Sequence, residues 1–368
     1  IGEAPGEHED QRGIPFIGKS GQFLNSYLRE LGLDPAEDII KMNAVSCRPP
    51  DNRTPEPLEV EQCRGRVWAA IEKYKPKVIV PLGMTAMHSL LDHRWHDDEG
   101  GLGAISRWRG WQIPDRDTGC WVVPSILPAY VLRMDGNPAV EQIFARDLKN
   151  AVRCLTKPLP TWENERECVE LLWDEESVIK RLKEIIKHKF WCSIDYETTG
   201  LKPFREGHRI WYIGIAVTPD RAFCFPTKGM KQALRLYRQI CADPEIKKLA
   251  HNLYFEDLWT RERLGVPIAG WEMCTMQTAH VLDQRRGIAG LKFQAYVRTG
   301  LVDYSSHIAP YLRSTPQEEE LYGDNGFNTI HKAPAKEVMV YCGIDCISTF
   351  RLALAQASEL KIDLCYPF

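Results

Sequence analysis

The chain has 368 residues, 44% hydrophobic and 26% charged, with a net charge of -3. That is ordinary globular composition for two or three domains and excludes a disordered chain. No apolar run approaches the ~18 residues a spanning helix needs, so no membrane partner is expected, and the N-terminus lacks a signal peptide. The 12 cysteines are scattered along a long chain, which fits a reducing compartment and predicts a cytoplasmic protein.

The chain opens on Ile1 and ends at Pro367-Phe368, and it reads as a fragment of a longer protein. Gly2-Glu3-Ala4-Pro5-Gly6 predicts a turn between a strand and a helix, where small residues let a ligand approach the backbone. Gly21 to Leu31 has helical spacing, and Ile39 to Val45 is a candidate strand. A helix over Val60 to Tyr74 precedes the buried strand Val78 to Gly83 and a helix from Thr85. Trp121 to Pro124 is a further strand, and Val140 to Leu155 a closing helix. The alternation predicts a three-layer α/β domain with a mostly parallel sheet over residues 1–156.

Lys157-Pro158-Leu159-Pro160 breaks the pattern and predicts a linker over 157–170. A second α/β domain is expected over 171–368. It opens with a helix from Asp174 to His188 and the strands Phe190 to Ile194 and Ile210 to Val217. After Lys231 the pattern is mainly helical.

Ile194-Asp195-Tyr196-Glu197 places two carboxylates two residues apart after an apolar run. On a strand both point to one face, where divalent ions can bridge them. His251-Asn252-Leu253-Tyr254-Phe255-Glu256-Asp257 leads into an amphipathic helix. Tyr341 and Asp345 are four apart and share a helix face.

In the first half, Gly2 to Gly6, Phe16 in Gly13 to Gly21, Asn43 in Asn43 to Pro50, and Cys47 and Cys63 form one long pattern. It resembles the iron–sulfur uracil-DNA glycosylases of family 4 across about residues 1 to 155. The resemblance implies uracil flipped out of DNA into a pocket, stacked on Phe16 and read by the Asn43 amide. It also implies Glu3 and Glu9 as acids that place or activate water, and Arg48 and Arg53 as phosphate contacts. Cys47 and Cys63, 16 positions apart, match the second ligand pair of the family's [4Fe–4S] cluster, which takes four thiolates, and the resemblance puts the first pair upstream of Gly2, so the cluster is expected in the full-length protein. One position departs from the family. Its third motif carries a histidine where Ser125-Ile126-Leu127-Pro128-Ala129-Tyr130 has Leu127. Leucine cannot donate a hydrogen bond to a developing anion, so this domain either excises slowly or serves as a uracil- or single-strand-binding module.

The three acidic motifs, read in order, resemble the tyrosine-bearing 3′–5′ exonucleases of the DEDD superfamily. The likeness is closest to the proofreading domains of bacteriophage-type family A DNA polymerases, and Thr275 to Asp283 and Gly290 to Tyr296 add to it. It implies a ribonuclease-H-like fold and two Mg²⁺ or Mn²⁺ ions held by Asp195, Glu197, Asp345 and a fourth acid. Spacing from Asn252 selects Glu256 as that acid, with Asp257 beside it as the alternative. Tyr341 would orient the attacking water, and Asn252 would contact substrate or brace its loop. The implied partners are single-stranded 3′ ends, uracil-containing DNA and a covalently following polymerase, in a bacterial host cell.

Overall fold

The computed structural model describes residues 1–95 and 101–364. The end of the expected second domain, with Pro367-Phe368, lies outside the described residues. Contacts divide the chain into two units. The first is Ile1–Thr161 with Ala295–Asp303, and the second is Trp162–Gln294 with Tyr304–Phe368.

In the first unit the apolar run after Lys77 forms β1 (Val78–Ile79). It pairs in parallel with β3 (Cys120–Val122), which pairs antiparallel with β2 (Ile113–Asp115). Isolated ladder bonds extend this sheet. Leu82 N donates to Ile1 O at 2.8 Å, Gly2 N to Met42 O at 2.8 Å, and Ala44 N to Gly2 O at 2.9 Å. Residues 1–3 therefore lie between 42–45 and 80–82. The expected strand over 39–45 survives only as this short ladder, because its first residues pair with nothing in the sheet. The helices Lys19–Glu30 and Pro138–Cys154 pack Leu24, Leu28, Phe144 and Leu148 together with Leu82 and Ile126. Helices and sheet form the α/β layers expected from the alternating pattern.

The second unit is a mixed six-stranded sheet, ribonuclease-H-like in its arrangement. Its strands are β4 (Val169–Leu171), β5 (Cys192–Thr198), β6 (Ile210–Thr218), β7 (Arg221–Pro226), β8 (Lys248–Ala250) and β9 (Trp271–Cys274). They are ordered β4-β7-β6-β5-β8-β9. β8 and β9 are two strands within the stretch after Lys231 that was expected to be mainly helical. They are three and four residues long, too short to show a period in the sequence. The helix Glu175–His188 starts at Asp174, whose side chain accepts from Ser177 N. That cap contributes about 1 kcal/mol. Burial of Val178, Leu182 and Ile185 contributes about 1.5–3 kcal/mol each, so packing rather than capping seats the helix.

The long helix Ala335–Leu360 packs against β4 to β8. It is long and apolar enough to cross a membrane by length and composition, with a mean hydropathy of 1.5 over its best 18-residue window. The sequence expectation missed this because polar residues such as Asp345 and Arg351 interrupt the apolar run. Of that window 83% is buried inside the protein, as in a core helix.

Candidate active sites

β5 presents Asp195 and Glu197 on one face, as the two-residue period requires. The same face receives Tyr341 and Asp345, one turn apart on the long helix. The helix comes this close because Gly214 on β6 is paired with Asp195 and has no side chain. A Cβ there would fall 2.7 Å from Cys342 Sγ and 2.8 Å from Cys346 Sγ. Glu256 comes from the helix Leu253–Trp259, which begins at Asn252 in a left-handed conformation (φ 74°). That conformation is uncommon for a non-glycine residue and turns the chain sharply out of β8. The Asn252 carbonyl accepts from Phe255 N at 2.8 Å, so Asn252 braces the loop.

The two neighbouring acids of this helix differ in their partners. Asp257 Oδ2 accepts from Arg261 Nε at 2.5 Å and Oδ1 from Ile268 N at 2.9 Å, so both oxygens are committed. Glu256 is 2% exposed, and its Oε2 has no hydrogen-bond partner among the described residues. A buried carboxylate oxygen without a partner costs free energy unless a cation meets it.

Burial raises the carboxyls of Asp195, Glu197 and Glu256 well above the usual range. At Asp195 the charges of Cys342 and then of Asp345, Glu197 and Glu256 add to that effect. Such a cluster is poised to exchange protons for divalent metal. Burial also pushes Asp345 up to about 6, against the pull of hydrogen bonds from Tyr304 and Tyr341 and the charge of Lys292. The sequence motifs did not single out Tyr304. Its hydroxyl donates to Asp345 Oδ1 at 2.5 Å, and its ring stacks on Tyr341 with centroids 5.8 Å apart.

The raised carboxyl has a consequence for stability. An unfolded Asp345 would ionise near 3.8 and the folded one near 6, so the metal-free native state holds the extra proton between these values. Stability contributed by that proton is full below about pH 4 and is lost as pH rises through about 6. In EDTA, the melting temperature of the parent should therefore fall relative to that of Asp345→Asn between pH 4 and 6. Parallel curves would show that Asp345 ionises normally.

In the first unit, Phe16 and Asn43 converge over Gly2. A Cβ on Gly2 would lie 2.4 Å from Asn43 Oδ1 and 2.6 Å from Phe16 Cζ, so only glycine permits this approach. Phe16 has φ 60°, a costly conformation for a bulky residue and one that marks functional loops. Asn43 is 8% exposed and lines a cavity of about 280 Å³ with Glu9, Ile14 and Arg66. Glu3 accepts from Thr85 Oγ1 at 2.9 Å, and Glu9 from Gly6 N at 2.7 Å. Leu127 packs over Gly83 and joins the apolar cluster that includes Phe16.

The remaining expected residues are placed otherwise. Arg53, expected at a phosphate, makes a bidentate pair with Glu59 at 2.9 and 2.8 Å and holds that carboxyl down to about 2. In this arrangement its two terminal nitrogens bind the N-terminal turn of the helix Pro57–Tyr74. Arg48 donates to Asn52 Oδ1 at 2.8 Å and lies 3.9 Å from Glu7. Cys47 is exposed and Cys63 half-buried. Among the described residues they join no group of three ligating side chains, and they supply two of the four thiolates that a [4Fe–4S] cluster takes.

Comparison with known proteins gives two families. The model of the uracil DNA glycosylase superfamily matches residues 1–149, and that of a 3′-5′ exonuclease family matches residues 172–361. Type-4 uracil-DNA glycosylases of Thermotoga maritima and Archaeoglobus fulgidus are 40% and 45% identical to the chain. They align over 43% and 44% of it and over 77% and 78% of their own lengths. A DNA polymerase of Bacillus phage SP01 is 25% identical over 96% of the chain, which spans 39% of that polymerase. The chain thus belongs to the type-4 uracil-DNA glycosylase family in its first half and to the 3′–5′ exonuclease family in its second, a fused DNA-processing enzyme whose nuclease domain implies divalent metal.

Proposed function

We propose that the second domain removes nucleotides from single-stranded 3′ DNA ends, using Asp195, Glu197, Glu256 and Asp345 to hold two Mg²⁺ or Mn²⁺ ions. The unpartnered Glu256 Oε2, buried beside three further raised carboxyls, carries this reading. When bound, such ions stabilise the attacking and leaving oxygens of an in-line phosphodiester hydrolysis. Tyr304 and Tyr341 hydrogen-bond Asp345 and fix its carboxylate. From that position Tyr341 orients the attacking water. Lys292 offsets the negative charge at Glu197 and Asp345.

The rim of the site favours a single strand. Leu201, Phe204 and Tyr254 are 58%, 59% and 60% exposed and flank the segments that carry the acids. Lys202 Nζ lies 5.3 Å from the Tyr254 ring centroid. Exposed aromatic and apolar faces beside a cation suit unpaired bases and their backbone.

The first domain we read as a module for uracil in DNA, with Phe16 stacking on the base and Asn43 addressing its edge. Glu3, bonded to Thr85, and Glu9, which lines the cavity with Asn43, would place water. Leu127 favours recognition over fast excision, because it brings an apolar side chain to the cluster around Phe16. Cys47 and Cys63 supply half the donor set of an iron–sulfur cluster. Domain limits of 1–156 and 171–368 follow the sequence pattern. The similarity to the phage polymerase supports work as part of a replicative polymerase in a bacterial cytoplasm. The test is a 5′-labelled single strand incubated with Mg²⁺ or with EDTA. A ladder shortening from the 3′ end in Mg²⁺ alone is expected, and its absence would overturn the reading.

A further inference from the structure

The acidic site has a soft donor that two-ion hydrolysis does not use. Cys342 Sγ and one carboxylate oxygen each from Asp195 and Glu197 all lie within 4.8 Å of one another. Tetrahedral zinc ligands at about 2.0–2.3 Å from the ion sit about 3.2–3.8 Å apart, so small side-chain rotations would close the set. The thiol packs against the Asp195 backbone and the Cys224 and Cys346 thiols, next to the two carboxylates. Its Sγ lies 3.6 Å from the Asp195 carbonyl oxygen, in the slot that Gly214 leaves beside Asp195. Glu256, 2% exposed and with an Oε2 that has no partner among the described residues, is a further buried acid outside this group of three.

We propose that Asp195, Glu197 and Cys342 form a site for a thiophilic divalent cation of the zinc class, and that its occupation silences the nuclease. Magnesium is hard, prefers oxygen donors in octahedral geometry and gains little from sulfur. A zinc-class ion takes sulfur and carboxylate together, and binding releases the thiol proton to solvent. An ion drawn toward Sγ pulls Asp195 and Glu197 from the geometry in-line hydrolysis needs, where a displacement of about 1 Å costs about 100-fold. As simple core filler, Cys342 would be replaceable by alanine without consequence for any metal. The effect on activity rests on the exonuclease reading, whereas binding of the ion does not.

The test uses the full chain and cobalt as a spectroscopic probe of the site. Titration with Co²⁺ should give thiolate-to-cobalt charge-transfer absorption. Cys342→Ser and Cys342→Ala should lose it with unchanged circular dichroism, and Cys47→Ser/Cys63→Ser should keep it. Zn²⁺ should inhibit Mg²⁺-supported 3′ trimming, with half-inhibition in Cys342→Ala needing about tenfold more zinc or beyond. Absorption that persists in Cys342→Ala, or an unchanged zinc requirement, would overturn the proposal. Cys342-dependent absorption in a protein that trims no DNA would uphold the site and sink the nuclease reading instead.

Discussion

Asp195→Ala should lower 3′ trimming by about 1,000-fold or more while the protein stays folded. The carboxylate is one of four that would hold the ions, and those ions supply several kcal/mol of transition-state stabilisation. Each 1.4 kcal/mol is tenfold in rate. Removing this acid also relieves repulsion among the buried carboxyls, since Asp345, Glu197 and Glu256 all act on Asp195. Metal-free Asp195→Ala should therefore melt no lower than the parent. The same assay separates the two neighbouring acids of the helix Leu253–Trp259. Glu256→Gln should impair trimming severely. Asp257→Asn should cost about 1 kcal/mol of stability through its bonds to Arg261 and Ile268 and leave trimming intact. The reverse pattern would transfer the fourth-acid role to Asp257.

Leu127→His should raise uracil release from a uracil-containing strand by about 100-fold. A preorganised donor aimed at a developing anion is worth about that much. The backbone is ready for it, because Leu127 caps the helix Pro128–Arg133 at φ -65°, which any residue adopts. The side chain already packs with the cluster that includes Phe16. Abasic product is measured by alkaline cleavage of the labelled strand. If Leu127→His releases no more uracil than the parent, the missing imidazole is not what limits excision, and the pocket is a recognition site for other reasons.

Patterns tied to a period were legible in the sequence. Asp195 and Glu197 follow an apolar strand two residues apart, and Tyr341 and Asp345 share a helix face, so backbone geometry alone places each pair. Glu256 was separable from Asp257 only by three-dimensional partners, because adjacent acids on a helix carry the same spacing signal. Tyr304 was not legible. It sits in the irregular stretch between the helices Leu291–Thr299 and Ala309–Leu312, where no period marks it. The Glu59 partner of Arg53 was not legible, because an arginine beside prolines looks the same whether it meets a phosphate or a carboxylate. Cys342 passed unnoticed, since a cysteine inside an apolar helix reads as a small hydrophobe. Its place beside Asp195 depends on Gly214, 128 residues earlier in the chain.

The most direct test of the account is the 3′ end itself. A 5′-labelled, uracil-containing single strand is incubated with the protein in Mg²⁺ and, separately, in EDTA, and the products are resolved at single-nucleotide length. Buried carboxyls waiting for divalent ions predict a ladder that shortens from the 3′ end in Mg²⁺ and is abolished by EDTA. Undegraded strand in Mg²⁺, or shortening that persists in EDTA, would contradict a metal site built from Asp195, Glu197, Glu256 and Asp345.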